Sequence, residues 1–148
     1  MDELLGLIAL GNTQAFRWSV AAEAVWLELL RRRPDAAWEV AMNKRLPDGV
    51  QAVLARHQDA RIRRDIALHN RVSAVALEHL VGDADASVRA TAAQHRIPEA
   101  LLKRLARDED ENVRASVALN PDTPRAVLVE LAADPSEWVA EKARHRLV

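Results

Sequence analysis

The sequence predicts an all-α fold, an α-α superhelix or solenoid of about five to six helical repeats, each 25–26 residues long. Three observations predict it. From Asp59 onward the chain repeats itself: "DARIRRDIALHNRVSAVALEHL" aligns with "DASVRATAAQHRIPEALLKRL" and "DENVRASVALNPDTPRAVLVEL", and a fourth copy, "SEWVAEKARHRLV", begins near the C-terminus. The aligned apolar anchors Ile62, Val88, Val113 and Val139 stand 26, 25 and 26 residues apart by subtraction. The composition is 49% hydrophobic but only 3% aromatic, so the core must be layered from Ala, Val and Leu, whose small side chains let stacked helices approach closely. A fixed period of this length marks units that bury their apolar faces only against their neighbours.

Each element follows from its residues. An N-cap stands three residues before each anchor, at Thr13, Asp59, Asp85, Asp110 and Ser136. Such side chains accept hydrogen bonds from the free amides of a first helical turn. The first helix then carries apolar pairs four and five residues past the anchor: Val40–Ala41, Ile66–Ala67, Ala92–Ala93 and Val117–Ala118. These share one helical face with the anchor. The helix ends near Asn43, His69, His95 or Asn120. A second segment starts at Pro47, Pro98 or Pro124, with Ser73 in the equivalent place and Thr123 as an added cap. Proline is favoured at a first helical position, where its missing amide loses no partner. Leu54, Leu80, Leu105 and Leu131 follow seven residues later.

Backwards from Asp59, "VAMNKRLP" matches "VALNPDTP" and places an anchor at Ala36; "AFRWSVA" reads like "NVRASVA" and places another at Phe16. The spacing of 20 between those two predicts that the intervening turn is lost and that Val20 to Leu30 run as one longer helix. The predicted organisation is a single helical-repeat domain over 1–148. Residues 1–33 form an irregular cap unit, 34–58, 59–84, 85–109 and 110–135 are repeats, and 136–148 are a partial repeat whose Lys142, Arg144, His145 and Arg146 cap the C-terminal end.

The stretch "DEDENVRASVALNPDTPRAVLVELAADPSEWV" (108–139) fits the pattern DxDxxVRxxVAxNPxTPxxxLxxLAxDP and resembles the leucine-rich-repeat variant (LRV) family, a HEAT- and armadillo-like helical repeat type. The resemblance extends over residues 59–148 and, more loosely, 34–58. It implies a right-handed superhelix of alternating α and short 3₁₀-type helices, and it carries over no catalytic residue. The departures are His69 and His95 where Asn120 stands, Ser73 for proline, and Arg33–Pro34 where an acidic cap is expected.

Composition narrows the function. With no cysteine there are no disulfides and no thiolate metal or iron–sulfur sites, though the compartment is left open. No apolar run approaches the ~18 residues that span a bilayer. The start "MDELLGLIAL" is acidic where a secretory signal would be basic, so a cytoplasmic protein without membrane association is expected. The formal net charge is −1, without the strong basic excess of a committed nucleic-acid binder.

Three constellations are candidates. The column Arg63, Arg89 and Arg114, each just after an anchor, could be a phosphate ladder; matched acids at Asp83, Asp85, Asp108, Asp110 and Asp134 favour ion pairs that stitch repeats together. The column Asn43, His69, His95 and Asn120 invites a metal, but asparagines in the same position favour hydrogen bonding to free carbonyls and turn amides. Trp18 and Trp38 both lie two residues past their anchors, about 200° around the helix and away from the core face, where the next repeat has Arg64. Two Trp and one Arg in a row have the composition of a binding hot spot; the alternative is an irregular cap that buries both rings. Trp26 is expected in the cap core, and Trp138 over the last repeat.

The expected function is therefore a non-catalytic, cofactor-free repeat module that binds another protein as a monomer, with Trp38, Trp18 and Arg64 as the candidate partner-binding residues. The alternative is DNA-backbone binding by a basic face containing Arg17, Arg31, Arg32, Arg33, Arg61 and Arg63. An enzyme resembling the HEAT-like alkylpurine DNA glycosylases is disfavoured, because the chain has too few repeats for a comparable cleft.

Overall fold

The structure, a computed structural model, describes residues 2–9, 15, 19–69 and 71–148. The expected N-cap Thr13, anchor Phe16 and candidate residues Arg17 and Trp18 lie outside the described residues. Among the described residues the fold is all helical: α1 (Asp2–Ala9), α2 (Glu23–Arg32), a 3₁₀ turn (Pro34–Ala36), α3 (Ala37–Ala41), α4 (Asp48–Leu54), α5 (Ala60–Ala67), α6 (Ala74–Leu80), α7 (Ala86–Ala92), α8 (Glu99–Leu105), α9 (Glu111–Leu119), α10 (Arg125–Leu131) and α11 (Glu137–Leu147). None of these helices is long and apolar enough to cross a membrane. The chain forms two compact units, Met1–His79 and Leu80–Val148.

In both units the repeat grammar is visible as packing. The anchors Ala36, Ile62, Val88, Val113 and Val139 are buried, as are the pairs four and five residues beyond each of the first four. Leu54, Leu80, Leu105 and Leu131 are buried on the second helices. In the first unit α3 packs on α5 and α2 on α4; in the second α9 packs on both α7 and α11, and α10 on α11. Within each unit successive first helices thus lie side by side, and α4, α8 and α10 pack at their edges. This is the packing of an all-α helical repeat.

Local detail departs from expectation at five places. The second elements α4, α8 and α10 are seven-residue α-helices; the 3₁₀ conformation occurs instead at Pro34–Ala36, ahead of α3. Pro47, Pro98 and Pro124 occupy N-cap positions with extended backbone, one residue before the helix. A prolyl cap offers no side-chain acceptor, and α4 borrows one: the Glu23 carboxylate accepts from the Gly49 amide at 2.9 Å. A Cβ on Gly49 would stand 2.5 Å from that carboxylate, so only glycine admits it without displacement. Ser73 does cap, accepting from the Ala76 amide at 3.3 Å. Thr123 does not; its hydroxyl donates to the Val117 carbonyl at 2.6 Å.

Asp59, Asp85 and Asp110 each accept from first-turn amides as predicted. Ser136 makes no cap bond, because its hydroxyl donates instead to Glu111 at 2.6 Å. The helix predicted from Val20 starts later, at Glu23, and runs on to Arg32. The Ser19 carbonyl, which would accept from residue 23 in a helix begun at Val20, receives the Asn43 side-chain amide at 3.1 Å.

That bond belongs to a series that spaces the repeats. His69 Nε2 lies 2.8 Å from the Ala41 carbonyl. Asn120 Nδ2 donates to the carbonyls of Ala93 and His95 at 2.6 and 2.8 Å. Arg146 donates to those of Ala118 and Asn120 at 2.9 and 2.6 Å. His69, Asn120 and Arg146 each stand seven residues past their anchor, as Asn43 does, and reach the open end of the preceding first helix, whose last carbonyls have no intrahelical partner. The asparagines also accept the amide two residues on, Arg45 to Asn43 and Asp122 to Asn120, both at 2.8 Å, which turns the chain toward the second helix.

Leu105 fills the layer of the second unit, whereas Asp110 acts only at a helix start. Leu105→Ala should lower stability by roughly 2–5 kcal/mol through the cavity it leaves. Asp110→Ala should cost about 1 kcal/mol. Denaturant melts of both variants would show the order, and its reversal would mean that Leu105 is not in the core.

Candidate functional site

The arginine column is structural at two of its three positions. Arg89 forms a two-pronged pair with Asp108 of the next repeat, at 2.8 Å on both prongs, and its remaining nitrogen donates to the carbonyls of Asp83 and Ala84. Arg114 does the same with Asp134, at 2.7 and 3.0 Å, and with the carbonyls of Asp108 and Glu109. Each of these aspartates also accepts the amide of the following N-cap residue. All four charged side chains are nearly buried. Arg63 repeats the carbonyl half of the pattern, donating to His57 and Gln58. A phosphate ladder would need these guanidiniums free, and at Arg89 and Arg114 every face is occupied.

The Arg114 hydrogen bond holds the Asp134 carboxyl below its ordinary value of 3.8. At Asp108 burial pushes upward, but the Arg89 hydrogen bond, the Asp110 amide and the nearby arginine charges together outweigh it.

The Asn/His column is likewise occupied by carbonyls, which accounts for Asn43, His69 and Asn120 without a metal. Among the described residues no three His, Cys, Asp or Glu side chains are grouped to hold an ion.

The basic clusters nominated for nucleic acid are also largely engaged. Arg31 and Arg32 both clamp Glu28, whose carboxyl their hydrogen bonds lower to about 2. Arg33 pairs with Asp35 at 2.6 Å. Arg61 pairs with Asp59, whose carboxyl is held at about 2 by that side chain and by the Arg61 amide.

The tryptophan row fares differently. Trp26 is buried in the first unit, as expected for cap core. Trp138, expected to cover the last repeat, is 44% exposed, with the Lys142 ammonium 4.7 Å above its ring. Trp38 is 50% exposed on α3, and Arg64 is exposed in the same position of α5. The row stops there: in the second unit the equivalent Ala90 is half-buried and Ala115 buried.

Sequence reasoning missed the neighbours that complete this surface. Positions i and i+4 on a helix differ by ~40° in direction, so Met42 shares a face with Trp38, and Leu68 shares one with Arg64. Met42 is half-buried and Leu68 is 55% exposed. The repeat register held the signal, since Leu68 is the only large aliphatic residue besides Leu119 at six residues past an anchor. Arg45 and Arg71 occupy matching positions in the two following turns, both exposed.

These features define a helical-repeat protein. The family model described as Leucine rich repeat variant matches residues 111–136, from the first residue of α9 to Ser136. No curated protein and no solved structure matches the chain.

Because folding lowers the Asp134 and Asp108 carboxyl pKa values, both favour the native state while ionised. Their contribution is complete above the ordinary value of 3.8 and is lost as pH falls through the lower native values. Asp134→Asn should cost about 3 kcal/mol at neutral pH, since it strands a nearly buried guanidinium. It should also flatten part of the decline in stability below about pH 4. Denaturant melts across pH 2–7 would check both effects.

Proposed function

We propose that this chain is a non-catalytic binding module, and that it engages another protein through the Trp38/Arg64 face of its first unit. The reading takes the protein to be monomeric and cytoplasmic and to need no cofactor. One observation carries it: Trp38 presents half its surface to solvent on a short helix whose Ala37, Val40 and Ala41 are buried. An indole fixed at the surface beside a guanidinium offers a large contact area at little cost in conformational entropy, which is why Trp and Arg dominate interface hot spots. The nucleic-acid alternative is less well supported, because Arg31, Arg32, Arg33 and Arg61 are already ion-paired within the chain. A catalytic reading has little to stand on, because Asn43, His69, Asn120, Arg89 and Arg114 are taken up by bonds within the repeats.

In variants retaining a single tryptophan, acrylamide should quench Trp38 strongly and Trp26 weakly. Trp38→Ala should leave the denaturant midpoint within about 0.5 kcal/mol of the parent, as for a surface change, while abolishing capture of the partner in affinity purification. A Trp38→Ala protein that binds unchanged, or that unfolds at much lower denaturant, removes the reading.

A further inference from the structure

The arginines of the first unit separate into two groups. Arg33 and Arg61 are each paired with an acid, Arg31 and Arg32 share the Glu28 carboxylate, Arg56 donates to His79 Nε2 at 2.7 Å, and Arg63 is turned onto backbone carbonyls. Arg45, Arg64 and Arg71 have no hydrogen bond or ion pair from their guanidiniums among the described residues, and all three are exposed. Asp65, the acid nearest to Arg64 in sequence, makes no ion pair there either.

The three unneutralised arginines are not scattered. α3 and α5 are packed neighbours, so Trp38 and Arg64, at equal repeat positions, stand at an interhelical spacing of roughly 8–10 Å. Met42 and Leu68 extend those two helices by one turn on the same face. Arg45 and Arg71 each follow three residues later, within ~11 Å along the chain. The result is an apolar strip of Trp38, Met42 and Leu68 edged by three available positive charges.

Resting on the reading that this face binds a protein, we propose that its partner presents an acidic segment in which Asp or Glu side chains are interspersed with leucine or aromatic residues. Charge complementarity selects the acids, because among the described residues no acid pairs with Arg45, Arg64 or Arg71. The apolar strip selects the intervening side chains and supplies the burial that a purely charged partner would lack. Two of the three apolar members are aliphatic or thioether chains without a π face, so the strip is a poor platform for stacked bases. The available charge would steer encounter and make affinity fall with salt.

A phage-displayed library of random 15-residue peptides, selected on the full chain, tests this. Enriched sequences should be rich in Asp and Glu together with Leu, Phe or Trp. The strongest of them, measured as a synthetic peptide by fluorescence anisotropy, should bind at least about tenfold more weakly to Trp38→Ala and to the triple variant R45Q/R64Q/R71Q. The control R31Q/R32Q should bind within about twofold of the parent, because both guanidiniums are already held by the shared Glu28 carboxylate and neither belongs to the strip. Circular dichroism verifies folding, and Leu68→Gln replaces Trp38→Ala if the latter does not fold. Enrichment of neutral or basic peptides that still need Trp38 overturns the acidic-partner inference and leaves the binding face standing. No enrichment, or binding indifferent to both Trp38 and Leu68, overturns both. Tighter Trp38-dependent binding of a single-stranded oligonucleotide than of any peptide overturns both in favour of nucleic acid.

Discussion

The last carbonyls of each first helix must be sealed before another repeat can be laid beside it, and this requirement sets the period of the chain. A short helix of five to nine residues leaves a large share of its carbonyls without an intrahelical acceptor role. Placed in an interior layer without partners, those groups would each cost about 1–3 kcal/mol. The chain answers with a donor seven residues past the next anchor, and the separation between donor and carbonyl is then 25 to 28 residues at His69, Asn120 and Arg146. Donor identity can vary because the demand is only for an N–H at that point. Asparagine also turns the chain, histidine donates through its ring, and Arg146 reaches the same carbonyls from a helix that continues through it.

A second set of bonds, through the arginines after the anchors, reinforces the same spacing. Arg89 and Arg114 tie the turn before their own helix to the aspartate before the next one. The device is absent where α3 meets α5, for Ala37 occupies the arginine position and His57 the aspartate position. His57 keeps one half of the aspartate's role, accepting the Asp59 amide at 3.0 Å. The first unit is therefore stacked with fewer internal ion pairs between first helices, and it is also the unit whose arginines remain available at the surface. Stacking and the recognition proposed for the first unit draw on the same residue type, and a guanidinium used for one is lost to the other.

Much of the fold was legible because the repeat multiplies each signal. An anchor such as Val113 is ambiguous alone, but its recurrence as Ile62, Val88 and Val139 identifies the core face, and all four are buried. Acid caps at Asp59, Asp85 and Asp110 were legible for the same reason. Features that depend on a partner distant in sequence were not. Ser136 has the residue type of a cap, but Glu111 takes its hydroxyl. Thr123 was drawn off by Val117 in the same way. The late start of α2 was not legible, since the Asn43 amide that occupies the Ser19 carbonyl lies 24 residues downstream. At the candidate site the direction of Trp38 was readable from helical geometry, whereas the end of the row at the buried Ala115 was not. Arg146 was taken for a generic basic cap, although its distance of 26 from Asn120 already placed it in the carbonyl-sealing column.

Substituting Asn120 tests the sealing role most directly. Asn120→His installs the residue that the repeat uses at positions 69 and 95 and keeps a donor, so stability should fall by no more than about 1 kcal/mol. Asn120→Asp is nearly isosteric but removes the amide donors and sets a carboxylate against the Ala93 and His95 carbonyls; it should cost about 3 kcal/mol or more at neutral pH. Urea melts of the two variants would read the difference as separated midpoints. Equal stabilities would contradict the claim that donation into the preceding helix end holds the repeats at their spacing.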